Sequence, residues 1–142
     1  MSKQFHAYLF FDGNCAEALG FYEKTLGGKL SVMKFADAPP TEHAPPGASP
    51  DRIMHAALQL EEGSLLMASD TMGQPYQGIH GVSISLSYTS TDEARKIFAA
   101  LAERGGKVDM PLEKAFWAEL FGVVTDRFGV SWMVSGGQQM GG

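Results

Sequence analysis

Gly27-Gly28-Lys29-Leu30 and Gly105-Gly106-Lys107-Val108 share one outline, two glycines, a lysine and a branched aliphatic residue, 78 residues apart. Glycine just past a helix takes the left-handed backbone that closes it, so each copy predicts a helix ending and a strand beginning. Upstream of the first copy, Cys15, Ala18, Leu19, Tyr22 and Leu26 recur at helical spacing; upstream of the second, Ala94, Ile97, Phe98 and Leu101 do the same. Each helix thus carries one apolar stripe for a sheet. The start signals also agree. Asn14 stands three residues before Glu17, and Ser90 three before Glu93, the spacing of a capping box that satisfies first-turn N–H groups. Further out, residues 5–11 form an aromatic and aliphatic run. Residues 82–88 (Val-Ser-Ile-Ser-Leu-Ser-Tyr) alternate apolar and polar without a break, the period of a half-buried strand.

Three strand-like runs follow each glycine pair: 29–35, 53–61 and 64–69, then 107–112, 118–125 and 131–135. Glu61-Glu62-Gly63 reads as a tight turn between two of them. The order strand–helix–strand–strand–strand, twice, predicts a duplicated α+β fold. The alternative is an ordinary α+β chain with two chance capping boxes. Residues 36–52 interrupt the pattern. The stretch 36–50 holds five of the seven prolines, which excludes helix and central strand. A loop of this length is a lid over a pocket, an arm to a partner subunit, or plain disorder. The glycine-rich tail 136–142 reads as a flexible end.

The chain has 142 residues, 44% of them hydrophobic, which suits one domain spanning 1–142 with a core that needs no staples. Its single cysteine, Cys15, excludes a disulfide framework and a multi-cysteine zinc module. Sixteen acidic residues against eleven basic ones, with no basic run, argue against nucleic acid as a partner. No apolar stretch is long enough to span a bilayer. The first residues lack a signal-peptide core, so cytoplasmic residence is expected.

The pattern resembles the vicinal oxygen chelate superfamily, built from two βαβββ modules around a cupped mixed sheet. That superfamily includes glyoxalase I, bleomycin-resistance proteins and extradiol dioxygenases. The residues carrying the likeness are 8–14 running into Phe21-Tyr22, then His55-Ala56, then 66–70. Strongest is Phe116-Trp117-Ala118 followed by 121–132. Within the superfamily the chain is similar to the PhnB-like branch (3-demethylubiquinone 3-methyltransferase-like domains). The likeness spans about residues 5–135, with module one at about 5–70 and module two at about 82–135.

In metal-using relatives, as the resemblance implies, His and Glu from the first and last strands of each module hold one divalent cation. The corresponding positions fall on or near His6, Met67, Ser83 and Met133. Only His6 is a good ligand for a hard divalent ion; thioethers are soft and a serine hydroxyl is weak. No metal is therefore expected at that place, and no other cofactor. His6 is otherwise a polar residue at a strand start, and Met67 and Met133 are otherwise core filling.

Strand parity places His6, Tyr8 and Phe10 on the cup side of the first strand, with Phe5, Ala7, Leu9 and Phe11 opposite. Ser83, Ser85 and Ser87 face the cup, while Val82, Ile84, Leu86 and Tyr88 face the helices. In the last strand Met133 points inward and Val130, Trp132 and Val134 pack on the helices. Such a lining of aromatics, hydroxyls and thioethers is that of a small-molecule pocket.

His55 is a ligand contact or an acid–base group, or else a histidine bonded in the core or dimer interface. Glu119 is a carboxylate able to complete an unconventional site with His6 or His55. Trp117 covers a ligand or anchors a subunit contact. Asp70 reads as a turn cap, and residues 126–129 as the turn between the last two strands. Cys15, at a helix start, is placed for a lowered pKa, but no partner at a telling spacing makes it a nucleophile. His43 and His80 read as solvated. No glycine-rich loop with a placed acidic residue supports a methyltransferase.

The expected protein is a homodimeric, metal-independent small-molecule binder whose ligand contacts are His6, Tyr8, Phe10, His55, Met67, Ser83, Ser85, Trp117, Glu119 and Met133. The alternative is a divalent-metal-dependent lyase, isomerase or dioxygenase with displaced ligands, chiefly His6, His55 and Glu119. A third reading is a structural dimer whose cup is filled by Phe10, Met67 and Met133.

Overall fold

Alternation and helical stripes produce the same five-element unit twice. The computed structural model describes residues 5–37, 51–71 and 75–138. The chain divides into two units, Met1–Gly78 and Ile79–Gly142. The first contains β1 (Ala7–Phe11), α1 (Cys15–Leu26), β2 (Lys29–Lys34), β3 (Ile53–Gln59) and β4 (Leu65–Asp70). The second contains β5 (Ser83–Tyr88), α2 (Thr91–Leu101), β6 (Lys107–Ala115), β7 (Ala118–Thr125) and β8 (Ser131–Gln138). Each unit is a four-stranded mixed sheet with one helix. The strand orders are β1-β4-β3-β2 and β5-β8-β7-β6. In each the first strand runs parallel to the last, and the remaining pairs are antiparallel. This is the α+β duplication that the repeated grammar predicts.

One face of each sheet is covered by its own helix. α1 packs on β2, β3 and β4, and α2 packs on β5, β7 and β8. The helix stripes Cys15, Ala18, Leu19, Tyr22 and Ala94, Ile97, Phe98, Leu101 are all buried. Against them lie Leu9, Phe11, Leu58 and Ala68 in the first unit and Val124, Trp132 and Val134 in the second, also buried. Among the described residues, neither unit places a second helix of its own on the other face of its sheet.

Several local expectations are corrected. Phe5 lies ahead of β1 and is 95% exposed, and Val82 lies ahead of β5 and is 56% exposed; neither joins the helix-facing row, because pairing begins only after them. The Asn14 side chain makes no cap bond. Instead Asp70, from the end of β4, accepts the Gly13 N–H (2.8 Å) and the Cys15 N–H (3.0 Å). Ser90 does cap α2, accepting the Glu93 N–H at 3.1 Å. The tail 136–142 is not all loose. β8 runs to Gln138, and a Cβ at Gly136 would stand 2.7 Å from Ala94 Cβ, so the missing side chain lets α2 lie close on the strand. The remainder of the tail, 139–142, and the stretch 38–50 of the proline-rich loop, with His43, lie outside the described residues.

The matched glycines end their helices differently. Gly27 follows α1 at once and donates its N–H to Glu23 O at 2.8 Å. α2 stops at Leu101, and Ala102–Arg104 intervene before Gly105. Gly28 has φ +94°, and a Cβ there would come within 2.6 Å of Gln59 O, whereas a Cβ at Gly27 (φ +82°) meets nothing. Gly28→Ala is therefore expected to cost more than about 2 kcal/mol, and Gly27→Ala only about 1 kcal/mol. Urea denaturation midpoints of the two variants check the ranking, and equal losses would contradict it.

Candidate functional site

The uncovered face of the first sheet gathers the chemistry-bearing residues of that unit. Strand register places Tyr8 opposite Met67, Met67 opposite Ala57, and Met33 opposite His55. Opposed residues share a face. The Tyr8 hydroxyl lies 3.3 Å from His55 Nδ1, which confirms that these two meet on the open side. The Tyr8 ring is 5.2 Å from Phe10 and 5.8 Å from His55, centroid to centroid. Phe10 is 53% exposed and Met33 44%; His55 and Met67 are half-buried. His6 is half-buried just ahead of β1. The rings of Tyr8, Phe10 and His55 are all carried by strands rather than by a loop.

Beyond Phe10 the face ends in a cleft of about 390 Å³. Its lining includes Phe10, Ser69, Asp70 and Thr71 from one side and Pro75 and Tyr76 from the other. Tyr76 donates its hydroxyl to Phe10 O at 2.9 Å, tying residues 75–78 to the end of β1. Burial first, then the negative fields of Asp12 and Asp70, push the Tyr76 hydroxyl pKa up, so it stays a donor. Arg52 braces the rim. It bonds Asp12 Oδ1 at 2.6 Å, Thr71 O at 2.7 Å and Thr71 Oγ1 at 3.2 Å. Asp70 is 2% exposed and also accepts the Ile53 N–H at 2.9 Å. It is thus more than a turn cap, since it joins β1, α1, β3 and β4 beneath the cleft.

On the second unit the uncovered face is rich in hydroxyls. Ser83 pairs with Ser131, Ser85 with Met133, and Ser87 with Ser135. The Ser83 and Ser131 hydroxyls are 2.5 Å apart, and Ser135 Oγ donates to Ser87 Oγ at 3.3 Å. Met133 is 36% exposed and also faces Val123 of β7. Glu119 is exposed near the start of β7. Trp117 sits in the β6–β7 turn, edge-on to Phe116 (4.7 Å) and Phe121 (5.1 Å). Thus Ser83, Ser85, Met133 and Glu119 share one sheet, with Trp117 at its turn, while His6, Tyr8, Phe10, His55 and Met67 belong to the other unit. Among the described residues no three His, Cys, Asp or Glu side chains gather as a metal set.

Sequence reasoning missed Met33, Tyr76 and Arg52. Met33 has the parity of an open-face residue, but only the β2–β3 register brings it to His55. Nothing local marks Tyr76 or Arg52.

Cys15 is corrected in the opposite direction from its helix-start expectation. It is fully buried, and burial, reinforced by the charge of Asp70, pushes its thiol up to about 12. The native chain is expected to resist thiol reagents at pH 8 and to react only when unfolded, a difference that timed labelling with and without urea measures. Because the folded pKa lies above the ordinary 9.0, the stability tied to this proton is complete below pH 9 and is lost as pH rises toward 12.

Comparison with known proteins accords with this architecture. The family model described as "Glyoxalase/Bleomycin resistance protein/Dioxygenase superfamily" matches residues 4–134. Protein YjdN of Escherichia coli (strain K12) is 37% identical over 136 residues, covering 90% of this chain and 91% of that protein. The crystal structure of protein PA1353 from Pseudomonas aeruginosa superposes with a TM-score of 0.84 at 48% identity, over 97% of this chain and 100% of that one. A PhnB protein from Bacillus cereus superposes with a TM-score of 0.73, over 94% of this chain and 99% of that one. At 23% identity that last likeness is one of fold.

Proposed function

The chain belongs to the glyoxalase/bleomycin resistance protein/dioxygenase superfamily, and from that membership we propose that it binds a small, largely apolar or aromatic molecule without the superfamily's divalent metal. The carrying observation is the cleft of about 390 Å³ that opens beside the aromatic face of the first unit, a volume within the range of small-molecule sites. Phe10 and Tyr76 supply apolar walls of the cleft, and Tyr8 and His55, on the sheet face beside it, are the proposed polar contacts. Every ~100 Å² of apolar ligand surface taken from water contributes about 2.5 kcal/mol. On the second unit Ser83, Ser85, Trp117, Glu119 and Met133 are the proposed ligand contacts, hydroxyls and a carboxylate for orientation and a ring and thioether for contact. Assembly as a homodimer and cytoplasmic residence are part of the same proposal. No helix among the described residues is long and apolar enough to cross a membrane.

The metal that the superfamily implies does not fit the donors at its usual positions. His6, Met67, Ser83 and Met133 offer one imidazole, two thioethers and one neutral hydroxyl. A hard divalent cation needs three or four imidazole, carboxylate or thiolate donors. No catalytic step is therefore derived through it.

A thermal-shift screen of the full chain against aromatic antibiotics, phosphonates and 2-oxo compounds, with and without divalent cations, tests the proposal. A true ligand at 100 times its dissociation constant stabilises the fold by about 2.7 kcal/mol, and Phe10→Ala removes that gain. If no compound stabilises the chain, or if stabilisation appears only with a stoichiometric divalent cation, the proposal fails.

A further inference from the structure

Met67, a thioether that suits a hard divalent ion poorly, shares its sheet face with a second thioether and an imidazole. Met33 stands directly across β2–β3 from His55. Met67 stands across β3–β4 from Ala57, two residues along β3 from His55, which makes it a diagonal neighbour about 7–8 Å away on the same face. The two thioethers and one imidazole therefore share one face of the sheet, on the neighbouring strands β2, β3 and β4. Methionine side chains are unbranched and flexible enough to close such a gap. Met33 is 44% exposed and the other two are half-buried, so the patch is open to an incoming ion yet partly shielded from water.

We infer that Met33, His55 and Met67 form a binding site for a thiophilic monovalent cation, copper(I) or its surrogate silver(I). Neutral sulfur and imidazole donors suit a soft d¹⁰ monocation and give a hard dication little. The Tyr8 hydroxyl at 3.3 Å from His55 Nδ1 fits this role. Metal on Nε2 leaves the ring proton on Nδ1, where it donates to the Tyr8 oxygen and fixes the ring's direction, as the outer partner of a ligating histidine does. The β2–β3 register shifts between Met33 and Lys34, a bulge of the kind that re-aims the side chain beside it. The binding involves no redox step. The site shares His55 and Tyr8 with the proposed ligand's polar contacts, but none of its three donors lines the cleft beyond Phe10, and the ligand test neither contains nor needs copper.

The test is an oxygen-free titration of the full chain with copper(I) held by bicinchoninate, followed by carbon-labelled methionine-methyl NMR with silver(I). The chain is expected to withdraw one equivalent from the chelator, and the methyl signals of Met33 and Met67 to shift. Met33→Leu and Met67→Leu each weaken binding at least about tenfold. Tyr8→Phe weakens it about tenfold through the His55 ring alone. Cys15→Ala leaves it unchanged. The leucine variants keep an apolar side chain on an open face, and their circular dichroism and unmoved Met133 signal confirm folding. No withdrawal, shifts confined to other methionines, unchanged affinity in both leucine variants, or loss on Cys15→Ala would each overturn the site.

Discussion

Asp70→Ala is expected to lower the stability of the chain by about 4 kcal/mol, enough to leave a domain of ordinary stability close to its unfolding threshold. The carboxylate is 2% exposed and accepts three backbone N–H groups, from Gly13, Cys15 and Ile53. Truncation leaves three donors with no acceptor in a place that water reaches poorly. An unmade hydrogen bond to a charged partner costs about 1.5–3 kcal/mol, and the three losses are not fully additive. Asp70→Asn separates charge from geometry. The amide oxygen still serves the two N–H groups at the start of α1, while its NH₂ confronts the Ile53 N–H, donor against donor, so about half the loss is expected. Urea unfolding of the three proteins measures the order, and an alanine variant within 1 kcal/mol of the parent would show that the carboxylate is not the pin.

Trp132→Ala is expected to cost about 4 kcal/mol in the second unit. Trp132 is 1% exposed, packed under α2, and its removal opens a large cavity. It also donates its indole N–H to Asp126 Oδ2 at 2.8 Å, while Oδ1 accepts the Phe128 and Val130 N–H groups at 2.8 and 3.1 Å. The turn between β7 and β8 is thus fastened to the core through one buried carboxylate. Asp126→Ala and Trp132→Phe together form a double-mutant cycle in which the combined loss falls short of the sum by about 1–2 kcal/mol. Strict additivity would mean that the two residues stabilise the unit separately.

Faces were readable in the sequence, and pairs were not. Ser83, Ser85 and Ser87 alternate with Ile84, Leu86 and Tyr88, and the structure exposes the first set and half-buries the second. Val130, Trp132 and Val134 against Met133 behave in the same way. A strand can slide by two residues along its neighbour without altering any face, yet every opposed pair then changes. For that reason Met33 beside His55 left no local signal, although each residue's side of the sheet did. The same limit explains Asp70. As a residue after an apolar strand it reads as a turn cap, and the N–H groups it satisfies lie 17, 55 and 57 positions away.

The amino-acid order alone determined the duplicated strand–helix–strand–strand–strand plan and the two buried helix stripes, because periodicity is a property of residues and their near neighbours. The tertiary structure decided which strand lies beside which, where the cleft opens, and that the cysteine thiol is forced to keep its proton. Those outcomes depend on atoms brought together from distant parts of the chain, whose fields and contacts no window of sequence contains.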